Sequence, residues 1–128
     1  MTDVLIKDNF SGDTEIDCLI IGGGAAGLTA ALAASENGST VLVAERENRL
    51  SGSTALSSGL IPAAETNAQK RQNISDSKKT FFADIMEKNC NSADPNHVTL
   101  CVENITLALN WLEAKHGIPF HVLDDFLY

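Results

Sequence analysis

Three glycines, Gly22, Gly24 and Gly27, stand in the pattern G-x-G-x-x-G. Alone the pattern is weak, because a Gly-rich turn in any α/β protein can match it. Its surroundings sharpen it. An apolar run, Ile16 to Ile21, leads in, and an Ala/Leu-rich stretch, Ala25 to Asn37, leads out. Thr40 to Glu45 is a second apolar run. In such a unit each glycine has a task. Gly22 permits the tight turn, and Gly24, lacking Cβ, lets backbone approach a pyrophosphate. Gly27 lets the helix lie close to the sheet, with Ala31 keeping that face small. The helix start then offers N–H groups and the positive dipole end to phosphate. Glu45 stands about 20 residues on, where a carboxylate accepts from ribose hydroxyls. A dinucleotide is the expected ligand. The carboxylate would repel the 2′-phosphate of NADP, an effect tempered by the neighbouring Arg46.

The elements that must position these residues can be read from pattern. Ile16 to Ile21 alternates little, as does a strand buried on both faces of a parallel sheet. Ala25 to Asn37 is rich in helix formers, and Gly38 follows where a left-handed C′ residue is expected. Strand, turn, helix, Gly stop and strand make a βαβ unit. Residues 46–49 are a charged connector, and Ser51 to Leu60 is dense in Ser and Gly. Residues 67–79 are polar throughout and read as an exposed loop. A helix is expected over Thr80 to Asn89, with Ser77 as N-cap. A longer one follows Asp94-Pro95, an N-cap with proline at N1. Val98, Cys101, Val102, Ile105, Ala108, Leu109 and Leu112 form one apolar stripe on it. Leu100, Leu107 and Trp111 form a second, so this helix should be sandwiched between layers. Gly117 closes it, with Lys115 and His116 at the negative dipole end. Residues 1–14 read as a loose N-terminal tail.

Composition limits the function. The 128 residues carry 17 Asp+Glu against 9 Lys+Arg, a formal charge of −8. That balance argues against a nucleic-acid or anionic-membrane surface, which needs clustered Lys and Arg. No targeting or membrane-spanning segment is recognisable. Cys18, Cys90 and Cys101 share no metal-ligand spacing and read as reduced thiols acting as small apolar side chains. A cytoplasmic location is the expectation. His97, His116 and His121 are scattered and suit surface or capping roles, and Asp124-Asp125 reads as a solvated turn. No Ser-His-Asp order or paired-carboxylate motif stands out, so no catalytic residue is assigned.

Residues 16–66 resemble the start of the FAD-binding domain in the fumarate reductase/succinate dehydrogenase flavoprotein superfamily. That superfamily includes 3-ketosteroid dehydrogenase-like and tricarballylate dehydrogenase-like members. The resemblance lies in Ile16-Asp17-Cys18-Leu19-Ile20-Ile21-Gly22-Gly23-Gly24-Ala25-Ala26-Gly27-Leu28 and in Val41-Leu42-Val43-Ala44-Glu45-Arg46. It lies more specifically in Ser51-Gly52-Ser53-Thr54-Ala55-Leu56-Ser57-Ser58-Gly59-Leu60, similar to the family's loop along the FAD pyrophosphate and flavin edge. The resemblance implies cofactor contacts at Gly22, Gly24, Ala25, Ala26, Gly27, Glu45 and Arg46 for the ADP half. It implies further contacts at Gly52, Ser53, Thr54, Ser58, Gly59 and Leu60 toward the flavin. A flexible Ser/Gly loop remains the plain alternative for 51–60. Members that attach FAD covalently use histidine where Ser53 stands, so non-covalent FAD is expected. The resemblance continues more weakly over 80–120, toward the family's cap domain, where Trp111 reads as a packing residue.

The implied fold is α/β: a Rossmann-like FAD/NAD(P)-binding βαβ unit followed by helices, incomplete without further chain. Two parallel strands do not make a stable doubly wound sheet, and 46–128 offers no third. Residues 15–128 are therefore expected to be the N-terminal part of an FAD-binding domain, ending before the cap. The expected function is that of a flavin-dependent oxidoreductase acting on a C–C bond next to a carbonyl or carboxylate. Its small-molecule substrate would be bound by chain not present here. The alternatives are a non-catalytic or truncated dinucleotide-binding remnant, a split-enzyme subunit completed by a partner chain, and an NAD-binding dehydrogenase fragment. The Ser51 to Leu60 loop favours FAD over NAD.

Overall fold

The computed structural model of the protein describes residues 15–50 and 52–123. The expected tail at 1–14, Ser51 and the Asp124-Asp125 turn lie outside the described residues. The chain divides into two compact units, one ending at Leu60 and the other beginning at Ile61.

In the first unit, β1 (Cys18–Ile21), α1 (Ala25–Glu36) and β2 (Val41–Ala44) follow the expected order. β1 and β2 pair in parallel, with Cys18 opposite Val41 and Ile21 opposite Ala44. Below the ladder, Thr40 N–H donates to Asp17 Oδ2 at 2.7 Å. Above it, Gly22 N–H donates to the Ala44 carbonyl at 2.8 Å. These two bonds set the register that carries the turn. α1 ends as its sequence dictates: Asn37 Nδ2 donates to the Ala33 carbonyl at 2.8 Å, and Gly38 takes φ +86°.

The expectation that β1 is buried on both faces is overturned. Leu19 is 53% and Ile21 84% exposed, alternating with half-buried Cys18 and Ile20. Among the described residues of this unit, α1 is the helix that packs on the sheet, and one helix covers one face. The Ser/Gly-dense stretch is likewise more than a loop, for it contains a short helix, α2 (Ser53–Leu56).

The second unit holds α3 (Asn67–Arg71), α4 (Lys78–Lys88) and α5 (Pro95–His116). α3 corrects the reading of 67–79 as loop throughout. Its start is a capping box: Thr66 Oγ1 accepts from Gln69 N–H, and Gln69 Oε1 accepts from Thr66 N–H at 2.8 Å. Two orphan donors are thereby satisfied, enough to start a polar helix on the one buried residue Ala68. The cap at Ser77 is as expected, though α4 begins at Lys78 rather than Thr80. Asp94 caps α5 through Asn96 N–H at 2.8 Å, and Gly117 closes it with φ +65°.

α5 buries Val98, Val102, Thr106 and Leu109. Thr106 was not part of the expected stripe, and Cys101, which was, lies exposed. The reason for Thr106 is a hydrogen bond, since its Oγ1 donates to the carbonyl of fully buried Ala64 at 2.6 Å. The second stripe is not sandwiched among the described residues: Leu100 is 64% and Leu107 63% exposed. Cys90 is also exposed and, at φ +55°, belongs to a left-handed turn with Asn91. Only half-buried Cys18 keeps the apolar role expected of all three thiols. Arg71 Nη2 ties α3 to Glu113 Oε1 at 2.9 Å and to the Phe120 carbonyl at 3.1 Å. An open apolar groove of about 500 Å³ runs beside α5, lined by Ile61, Phe81, Ile85, Leu100 and Ile105.

Replacing Thr106 by valine keeps the shape and strands the Ala64 carbonyl without a donor. Urea unfolding of Thr106→Val is expected to show a loss of about 1–3 kcal/mol, the cost of a buried unsatisfied acceptor.

Candidate functional site

The site is built from the turn between β1 and α1. Gly22 leaves the strand at φ +100°, which a side-chain-bearing residue rarely adopts. Gly27 faces back toward it. A Cβ at residue 27 would overlap the Gly22 carbonyl oxygen and press on Ile20 Cγ2 at 3.3 Å. The expected close approach of helix and sheet is therefore real at this position. At Gly24 the protein itself makes a weaker demand: a Cβ there would meet only Thr54 Oγ1, at an ordinary 3.6 Å.

The sequence reading passed over Gly23, which falls on a free position of the motif. It is the one buried residue of the turn. Its N–H donates to Glu45 Oε2 at 2.8 Å, and a Cβ would strike Leu50 Cδ2 and come within 3.2 Å of Glu45 Oε2. The signal that could have exposed it is the unbroken Gly22-Gly23-Gly24 run. Glu45 Oε1 accepts from Glu47 N–H at 3.1 Å, so both carboxylate oxygens are oriented by backbone. The Glu47 and Gly23 N–H groups hold this carboxyl below the ordinary carboxylate range, with Arg46 adding to the effect.

The second segment meets the first at one point. Ala25 N–H, the first of α1, donates to Thr54 Oγ1 at 3.1 Å. Gly52 begins α2 at φ +94°, and Ser57 Oγ closes it on the Thr54 carbonyl at 2.8 Å. Gly59, at φ +73°, donates its N–H to Ser57 Oγ. Thus Gly22, Gly24, Ala25, Gly27, Glu45 and Thr54 come together, and Ala26 lies in the same first turn of α1. Arg46 points to Glu47 at 3.2 Å, with its side chain 91% exposed. No hydrogen bond among the described residues joins Ser53, Ser58 or Leu60 to the turn. His97 and His121 are exposed, while His116 packs edge-on against Trp111 with ring centres 4.7 Å apart. No cluster of potential metal ligands occurs among the described residues.

A glycine turn feeding a helix start, with an oriented carboxylate at the end of the next strand, defines a mixed helix–sheet protein shaped for a nucleotide cofactor. The chain belongs to the FAD binding domain family, whose model it matches over residues 17–125. It is 34% identical over 110 residues to an NADH:fumarate oxidoreductase of Klebsiella pneumoniae, covering 86% of this chain and 12% of that one. It is 36% identical over 120 residues to the acrylate reductase flavoprotein subunit of Shewanella woodyi, covering 91% and 24%. Among solved structures it is similar to the open conformation of a flavocytochrome c3 fumarate reductase. There the TM-score is 0.69 at 28% identity, over 77% of this chain and 18% of the other. The chain thus spans between about an eighth and a quarter of these curated relatives. It is the FAD-binding part of a fumarate reductase-like flavoprotein, and its cofactor is FAD.

The residues present fit that cofactor. The first turn of α1 carries no acidic side chain to repel phosphate. The helix start supplies donors, Glu45 supplies acceptors, and the space beside Gly22 is open.

Two predictions follow from the turn. Gly27→Ala is expected to cost at least about 2 kcal/mol, because the obstructing atom is backbone and cannot rotate away. Gly24→Ala is expected to cost about 1 kcal/mol or less, as an N-cap change only. Chemical denaturation compares the two. Glu45 gives a pH signature. Its folded pKa is depressed, so its contribution is present above the unfolded value and lost as pH falls through the folded one. The stability difference between wild type and Glu45→Gln is therefore expected at neutral pH and should vanish on acidification below the carboxylate range.

Proposed function

We propose that residues 15–128 are the N-terminal, ADP-holding part of a Rossmann-like FAD-binding domain in a reductase or dehydrogenase. Its reaction is at a carbon–carbon bond next to a carbonyl or carboxylate. The observation that carries the reading is the convergence of the glycine turn, Glu45 and Thr54 on the start of α1. Gly22, Gly24, Ala25, Ala26 and Gly27 hold the pyrophosphate by backbone, and Glu45 accepts from the adenosine ribose. Arg46 lies beside the adenosine end. Gly52, Ser53, Thr54, Ser58, Gly59 and Leu60 lead toward the flavin. The relatives support the substrate class by their names, since fumarate and acrylate both carry a double bond conjugated to a carboxylate.

FAD supplies the redox chemistry when bound, and this chain supplies binding and orientation. The groups that bind substrate and move protons lie on further chain, either continuous with this one or in a partner subunit. No helix among the described residues is long and apolar enough to cross a membrane.

Non-covalent attachment follows from Ser53, which stands where covalent members of the family use histidine. Purified protein reconstituted with FAD is expected to be yellow and to release all its flavin to the supernatant on acid precipitation. Flavin retained in the pellet overturns the non-covalent reading. A colourless protein that takes up neither FAD nor ADP overturns the functional one.

A further inference from the structure

We propose that Asn37 is a site of spontaneous deamidation, gated by the turn that closes α1, because that turn locks up the nucleophile the reaction needs. Asn37-Gly38 is the single Asn-Gly pair in the sequence. In the reaction the Gly38 peptide nitrogen gives up its proton and attacks the Asn37 side-chain carbonyl carbon, Cγ. The N–Cγ bond forms, the Cγ–Nδ2 bond breaks, and Nδ2 leaves as ammonia, taking a proton from solvent. Water then opens the cyclic imide at either carbonyl, leaving an aspartyl or an isoaspartyl residue. Glycine favours the attack because no side chain shields its nitrogen.

Both residues are exposed, so water reaches the pair. The fold nevertheless opposes the ring. Asn37 is the C-cap of α1 at φ −87° and ψ 12°, and Gly38 follows in the left-handed region at φ +86°. Gly38 N–H donates to the Ser35 carbonyl at 3.0 Å, and Ser39 N–H donates to the Ala34 carbonyl at 3.2 Å. These are the two bonds of a Schellman motif. The first keeps the proton of the attacking nitrogen on a carbonyl, away from base. Asn37 Nδ2 donates to the Ala33 carbonyl at 2.8 Å, which turns the side-chain amide back along the helix. Thr40 N–H, on Asp17 Oδ2 at 2.7 Å, then ties the connection to the start of the sheet. Ring closure requires this connection to open, so the rate is the intrinsic one multiplied by the fraction open. The product loosens what held it back. A carboxylate at residue 37 has no donor for Ala33 and stands at the negative end of the α1 dipole. The isoaspartyl form also adds a backbone carbon between α1 and β2, so the motif does not re-form in register.

The test incubates the 128-residue chain and a peptide of residues 33–42 side by side at mildly alkaline pH. Peptide-mapping mass spectrometry follows each asparagine, and amide exchange at Ser39 gives the fraction open. Asn37 is expected to convert before any other asparagine of the chain. It should react at least about tenfold more slowly there than in the peptide, the factor for two modest hydrogen bonds. The protection of Ser39 should match that ratio within about threefold. Asn37→Gln, whose longer side chain closes the ring poorly, should leave the region unmodified over the same period. Another asparagine converting ahead of Asn37 overturns the site, as does no conversion by the time Ser39 exchange predicts it. Conversion at the peptide's rate, or an unprotected Ser39 amide, overturns the gate.

Discussion

Helix α1 lies so close to the Gly22 carbonyl oxygen that residue 27 has no room for a β-carbon. The rest of the first unit depends on this approach. It seats α1 on the Ile20 side of the two-stranded sheet and aims the helix start back over the turn. It also leaves Gly23 enclosed between Leu50 and Glu45, so that a backbone N–H rather than a side chain orients the carboxylate. Register does the remaining work. Because Ile21 pairs with Ala44, the turn after β1 and the carboxylate after β2 emerge at the same end of the sheet.

Legibility in the sequence followed the range of the interactions. The glycine spacing announced the strand–turn–helix unit because those constraints are local and leave few residue choices. The caps at Ser77, Asp94, Gly38 and Gly117 were readable for the same reason. What escaped was set by partners distant in sequence. Gly23 sits on a free motif position, and only its neighbours Glu45 and Leu50 reveal why it is glycine. Thr106 looked like an interruption of an apolar face until the Ala64 carbonyl gave it a partner. α3 was hidden by its polarity, although Thr66-x-x-Gln69 is a helix-start signature in its own right. The exposed face of β1 could not be anticipated, because an apolar strand does not record how many layers cover it.

Each unit leaves apolar surface uncovered among the described residues. In the first it is Leu19 and Ile21 on a sheet of only two strands, a size that is marginal by itself. In the second it is Leu100 and Leu107 beside an apolar groove. Both agree with a chain that spans a small fraction of its relatives' length. The glycine turn is well formed, while the surfaces that pack are not all occupied.

The bonds that assemble the turn also bear on the order of folding. Gly23 meets Glu45 across 22 residues and Ala25 meets Thr54 across 29. Loop-closure entropy rises only with the logarithm of length, about 0.6 kcal/mol per doubling, so the two closures cost nearly the same. Neither waits for a contact from outside residues 15–60. During synthesis on the ribosome, every partner in the hydrogen bonds that build the glycine turn is therefore already in the chain once α2 has emerged.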